Sequence, residues 1–287
     1  MNTRYTQSCY AITPGAGNLP KLELSAPDGA RSEIYLLGAH VTSWVPAGGG
    51  ERLYMSRKSE YQIGEPIRGG IPVAFPQFGT LGPLPIHGLA RLMPWDFVGA
   101  EIVGDRACAT FRLRDTQESR DLWPHAFLAE LSVSIGGSRL EVMLTVTNPG
   151  AGPFAFTNAL HTYLSVMEIS LTQVKGLVGL PYRDAAAGGI EKLESQPQVD
   201  FTGEVNRIYF NAPAEAQVVE PGRVTAVQKA GFTDTVVWNP AAEKCAVVAD
   251  MEPADYRRFV CVEAAVVGQP VQLAPGERWM GMQTLVA

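Results

Sequence analysis

Glu263 stands in the run FVCVEAAVV, where every neighbour is apolar. A carboxylate there is costly unless it is paired or protonated, and burial raises its pKa, which makes it a stronger base wherever it ionises. The bland reading is a strand-end glutamate turned to solvent. The run stays apolar past it, so the functional reading is preferred. The chain has four histidines, His40, His87, His125 and His161, and no two have metal-ligand spacing. His161 lies in PFAFTNALHTYLSV. Read as a strand, this segment points Phe154, Phe156 and Leu160 one way and Ala155, Thr157, Ala159 and His161 the other. A face of small residues leaves room above the sheet, so His161 is either a proton carrier beside a ligand or a structural histidine held by a carbonyl. His87, in LPIHGLAR, is a ligand donor or a loop anchor, with the donor preferred. His40 and His125 read as structural.

A third feature is the segment RGGIPVAFPQFGTLGPLPIHGLAR, from Arg68 to Arg91. It is rich in glycine and proline, carries an arginine at each end and contains no carboxylate. Its apolar residues, Ile71, Val73, Phe75, Phe78, Leu84 and Leu89, predict that it packs down rather than acting as a passive linker. An acid-free wall with two arginines suits a small anion. Each arginine taken singly would be a surface residue. Trp95 and Trp238 lie near turns, where an indole can stack on a sugar face, although core packing is the expected fate of both.

These residues need a scaffold, and the sequence predicts an all-β one. In ELSVSIGGSRLEVMLTVTN, Leu131, Val133 and Ile135 alternate with polar residues, Gly136-Gly137 supplies a two-residue turn, and Val142, Leu144 and Val146 alternate on the return. KLELSAPDGARSEIYLLG reads as two strands around a Pro-Asp-Gly turn. TDTVVWN, CAVVAD, FVCVEAAVV and WMGMQTLVA read as further strands, and EPADYRRF as about one helical turn. The expected fold is a large, mostly antiparallel sandwich with few short helices, in a single domain over residues 1–287. With 287 residues, 46% hydrophobic and 18% charged, the chain can bury a large core. Its net charge of −6 and lack of a Lys/Arg run argue against nucleic acid and anionic membranes. No run reaches membrane-span length, and the first twenty residues show no apolar signal-peptide core. The four cysteines form no CxxC pair and read as reduced thiols of a cytoplasmic protein. Phosphate-loop, dinucleotide and serine-hydrolase motifs are absent, and neither a metal nor a cofactor is expected. The sequence leaves the oligomeric state open.

Taken in order, IRGGIPVAFPQFG, LPIHGLAR, ALHTYL, TVVWNP and VCVEAAVV with PVQLAPGERW resemble the glucose-6-phosphate 1-epimerases (hexose-6-phosphate mutarotases) of the aldose 1-epimerase superfamily. The resemblance runs from about residue 68 to the C-terminus, and LLGAHVTSW is similar to the family's early strand. It implies a galactose-mutarotase-like β-supersandwich without a cofactor. It also implies a catalytic pair at His161 and Glu263, substrate and phosphate binding by Arg68 and Arg91, and a pocket position for His87. Two positions depart from the family pattern. Ile86 stands where Gln is common before the HG histidine, and Asn206 stands where Asp is common, with Asp200 the weaker match for that place. Both family positions contact sugar hydroxyls, so the departures bear on sugar preference.

The resemblance implies an isomerase that opens and recloses the hexose ring. One group removes the C1 hydroxyl proton while another protonates O5. On this reading Glu263 is the base and His161 the acid, with the nearby carboxylate keeping His161 an imidazolium near neutral pH. The rivals are a mutarotase of neutral aldoses and a non-catalytic sugar-phosphate-binding protein. A glycoside hydrolase is weaker, since it would usually need two carboxylates at the site.

Overall fold

Strand alternation decides which face of each sheet is buried, and the computed structural model, which describes residues 8–287, follows it closely. The hairpin Leu128–Gly136 with Arg139–Thr147 buries Leu131, Val133, Ile135, Val142, Leu144 and Val146 on one face. Gly136 pairs with Arg139, so the turn residues are Gly137 and Ser138, one position later than expected. Gly137 takes φ 58°, a left-handed turn conformation that glycine adopts without Cβ strain. This hairpin lies within a nine-stranded sheet that ends with Asp96–Val103 at one edge and Gln198–Asp200 at the other.

An eight-stranded sheet carries the site. From one edge its order is Ile190–Leu193, Pro181–Asp184, Val205–Tyr209, Asp234–Asn239, Phe259–Leu273, Phe154–Leu160 and Val73–Ala74, with Tyr163–Ser165 also paired to Phe259–Leu273. All of these pairings are antiparallel. A four-stranded sheet, Tyr10–Pro14 through His40–Val45, includes the two strands expected around the Pro-Asp-Gly turn, Pro20–Ser25 and Arg31–Tyr35. One continuous core draws on all three sheets, including Leu24, Ile34, Leu131, Leu144, Val260, Val262 and Val266.

The central strand Phe259–Leu273 shows how the two faces divide. Val260, Val262, Ala264 and Val266 enter that core, whereas Cys261, Glu263 and Ala265 point to the opposite face. The strand expected at CAVVAD is absent. Cys245 instead ends a short helix, Ala241–Cys245, and the chain turns on through Asp250; where it enters the helix, the Asn239 side chain accepts from the Ala241 N–H at 2.9 Å. EPADYRRF contains a single 3₁₀ turn, Asp255–Arg258. Among the described residues no helix is long and apolar enough to cross a membrane. The four cysteines are all unpaired thiols.

Candidate active site

Cross-strand register assembles the floor of a cavity on the face that carries Glu263. Arg183, Ile208, Val236 and Glu263 are successive partners across four strands. Asn206, Trp238, Cys261 and Tyr163 form the next row. Ala265, Ala159 and Ala74 form a third, and these small side chains are covered by Phe78, which itself lines the cavity. The cavity above has a volume of about 480 Å³. It is lined by all six residues that the sequence singled out, Arg68, His87, Arg91, His161, Asn206 and Glu263.

His161 does not sit within a strand as expected. A bulge between Phe156 and Asn158 shifts the register, the strand ends at Leu160, and the His161 N–H donates to the Pro72 carbonyl at 3.0 Å. This break aims the ring over the floor. The imidazole stacks on Tyr163 with centroids 4.8 Å apart and meets Trp238 and His87 edge-on. Its Nδ1 lies 3.5 Å from Glu263 Oε1. Neither His161 Nδ1 nor Glu263 Oε2 has a hydrogen-bond partner, although both are buried.

The Arg68–Arg91 segment walls the cavity through forced turns. Gly69 and Gly70 take φ 112° and 60°, and a Cβ on either would collide with the Tyr54 or Val41 carbonyl. The His40 ring bonds the Gly69 carbonyl at 2.7 Å, which bears out its structural reading. His87 itself has φ 64°, and Gly88 follows at 74°. The Gly79 N–H donates to His87 Nδ1 at 3.2 Å, so the neutral ring carries its proton on Nε2. His87 lines the cavity wall with its Nδ1 taken up by this backbone bond.

The two arginines are held differently. Arg68 Nε donates to Asp250 Oδ2 at 2.9 Å and Nη1 to the Tyr163 hydroxyl at 3.0 Å. Arg91 Nη2 donates only to the Ile86 carbonyl, at 2.8 Å, while its buried Nε has no partner. The segment is free of acid, as the sequence shows, but Asp250 reaches Arg68 from 182 residues away. Arg91 has no carboxylate within ion-pair distance among the described residues. Burial, helped by Arg68, lowers its pKa to about 10.

The site acts on the charge of the acid–base pair through burial and its neighbouring cations. Burial holds the Glu263 carboxyl well above the usual carboxylate range. Burial, His87 and the two arginines hold His161 well below the usual histidine range. Both shifts act in the direction of the uncharged partners and against an imidazolium. The Glu263 carboxylate does not overcome this because it is itself desolvated. His87, pushed down to about 3 by burial and then by Arg91 and Arg68, is also neutral.

Some lining residues were not foreseen. Trp238 faces the cavity rather than the core alone. Arg183, whose guanidinium carbon lies 5.4 Å from the centre of the Phe210 ring, and Lys244, paired with Glu204 at 2.6 Å, add two cations. Only cross-strand register could have revealed Arg183. Ile86, about half exposed, lines the mouth beside Leu81. Asp200 lies on an edge strand of the nine-stranded sheet, away from this cavity. Among the described residues no three His, Cys, Asp or Glu side chains are placed to share a metal ion.

Residues 20–285 match the profile of the aldose 1-epimerase family. The chain is 36% identical over 282 residues to a protein of Cenchrus ciliaris named as a candidate glucose-6-phosphate 1-epimerase, covering 94% of this chain and 85% of that one. A protein of Escherichia coli K12 with the same name is 34% identical, covering 83% and 81% of the two chains. A crystal structure from Salmonella typhimurium, described as a candidate mutarotase, superposes with a TM-score of 0.90 at 28% identity over 98% of this chain and 94% of that one.

Proposed function

The chain belongs to the aldose 1-epimerase family and is an isomerase, and from that premise we propose that it interconverts the α and β anomers of a hexose 6-phosphate. One observation carries the reading. A single cavity is lined by an acid–base pair 3.5 Å apart and by a buried arginine without an acidic partner. A sugar phosphate brings what each lacks: exchangeable protons for the pair and an anion for the guanidinium. The names of the two relatives support the phosphorylated substrate.

Glu263 takes the proton from the C1 hydroxyl while His161 gives one to O5, and the C1–O5 bond breaks. The open-chain aldehyde turns about C1–C2, and closure on its other face returns both protons. Each placed proton transfer contributes about 10²–10⁴-fold. Arg68 and Arg91 bind the phosphate, and His87 Nε2 and Asn206 bind sugar oxygens. We place this activity in one domain, within the cytoplasm, where the four free thiols fit a reducing setting.

Anomer-exchange NMR on paired hexoses and hexose 6-phosphates tests the reading. Faster exchange of the phosphorylated sugars, lost in His161→Asn and Glu263→Gln, supports it. A wild type that prefers the free hexose moves the reading to neutral aldoses. Binding of the phosphate without exchange moves it to a carrier.

A further inference from the structure

The chemistry above needs Glu263 as carboxylate and His161 as imidazolium, 3.5 Å apart in a cavity that two arginines also line, and those arginines oppose a positive charge on His161. This inference rests on the proposed hexose 6-phosphate reading. Tyr163, from its own segment, stacks on the ring and accepts from Arg68. His87 and Arg91 face it from the wall, with His87 edge-on at 5.0 Å, and Arg68 faces it from the Gly69–Gly70 turn. The central strand presents Glu263 and Cys261, and Asp234–Asn239 presents Trp238. Asp250 lies behind Arg68. The fixed charges on this side are thus two guanidinium groups against one carboxylate. Both arginines oppose a positive His161, whereas the state of Glu263 is set by burial alone. An anion of charge −2 seated on them would reverse the balance on the histidine side of the pair.

We propose that a phosphate dianion held by Arg68 and Arg91 offsets their charge and favours the proton on His161 Nδ1 over the Glu263 carboxyl 3.5 Å away, so that the phosphate activates the acid–base pair as well as anchoring the sugar. One O–H bond breaks and one N–H bond forms, and the proton count of the site is unchanged. The phosphate need not be joined to the sugar to do this.

Inorganic phosphite is the probe, with two readouts. The first is the ¹⁵N spectrum of the His161 imidazole, assigned by its loss in His161→Asn and followed against pH with and without phosphite. The second is anomer exchange of free glucose at rising phosphite, after subtraction of the enzyme-free rate. The expected result is an upward shift in the His161 titration and a rise in glucose exchange of about tenfold or more. The activation ratio should shrink in Arg91→Lys and vanish in Arg91→Ala. An unmoved His161 titration, or phosphite that only inhibits glucose exchange, overturns the inference while exchange of glucose 6-phosphate leaves the functional reading standing. A wild type inert towards glucose 6-phosphate defeats both.

Discussion

Replacing Arg91 with alanine should separate binding from folding, and replacing Arg68 should not. Arg91 is 7% exposed, and its one hydrogen bond goes to a neutral carbonyl. Truncation loses that bond, about 0.5–1.5 kcal/mol, but also removes a desolvated cation, so the net fall in stability should stay within about 2 kcal/mol. Arg68 instead holds both Asp250 and Tyr163. Its removal leaves a carboxylate and a hydroxyl unpaired. Breaking a fully buried pair costs about 3–5 kcal/mol, and the 22% and 19% side-chain exposures reduce this to about 2–3 kcal/mol. On activity the two should be alike. A charge-assisted hydrogen bond to phosphate contributes about 1.5–3 kcal/mol, a loss of about 10- to 150-fold in kcat/KM for glucose 6-phosphate, with much less on glucose. Denaturant melts of both variants and exchange kinetics of each on both sugars supply the two stabilities and four rates needed. An Arg91→Ala protein that melts earlier than Arg68→Ala would refute the view that Arg91 is held for ligand rather than fold. Equal losses on the two sugars would remove the phosphate from its role.

Glu263 holds its proton above the ordinary carboxylate pKa of 4.5, so from about pH 4.5 upward the unfolded chain releases a proton that the native state keeps, and this site costs stability as pH rises towards its folded pKa. Glu263→Gln should therefore melt later than wild type by a margin that grows with pH, while exchange falls at least about 10²-fold; a variant less stable than wild type at pH 8 would contradict the buried-acid picture. Asn206→Asp turns a group that both donates and accepts into an acceptor alone, and should reorder epimeric sugars more than it changes the best rate. An unchanged ranking would take Asn206 out of the pocket contacts. Exhaustive chelation should leave exchange unaltered, and a loss restored by a divalent ion would reveal a metal site.

The scaffold was legible because alternation reports burial directly. Leu131, Val133 and Ile135 could face the core only if Glu130, Ser132 and Ser134 did not. The site residues were legible by type, since an ionisable Glu263 in an apolar strand and arginines in a packed loop both run against ordinary burial. Alternation says nothing about which strands pair or in what register. That is why Arg183, which shares a row with Ile208, Val236 and Glu263, stayed hidden. CAVVAD misled for a related reason: a short apolar run has no period of its own, and the helix that takes up Cys245 starts outside it, at Ala241.

Charge state lay furthest from the sequence, because it belongs to the assembled site rather than to any residue. Placing Glu263 beside His161 leads one to expect an ion pair, as it would in water. In the cavity both are desolvated, and the two arginines that suit a phosphate also disfavour the imidazolium that the reaction needs. Anion recognition and acid–base chemistry therefore act on the same histidine with opposite sign until the anion is bound. A site that wanted only tight phosphate binding could pair each arginine with a carboxylate-free wall far from the chemistry. Here Tyr163 stacks on His161 and bonds Arg68, so the two functions share one side chain and neither can be tuned alone.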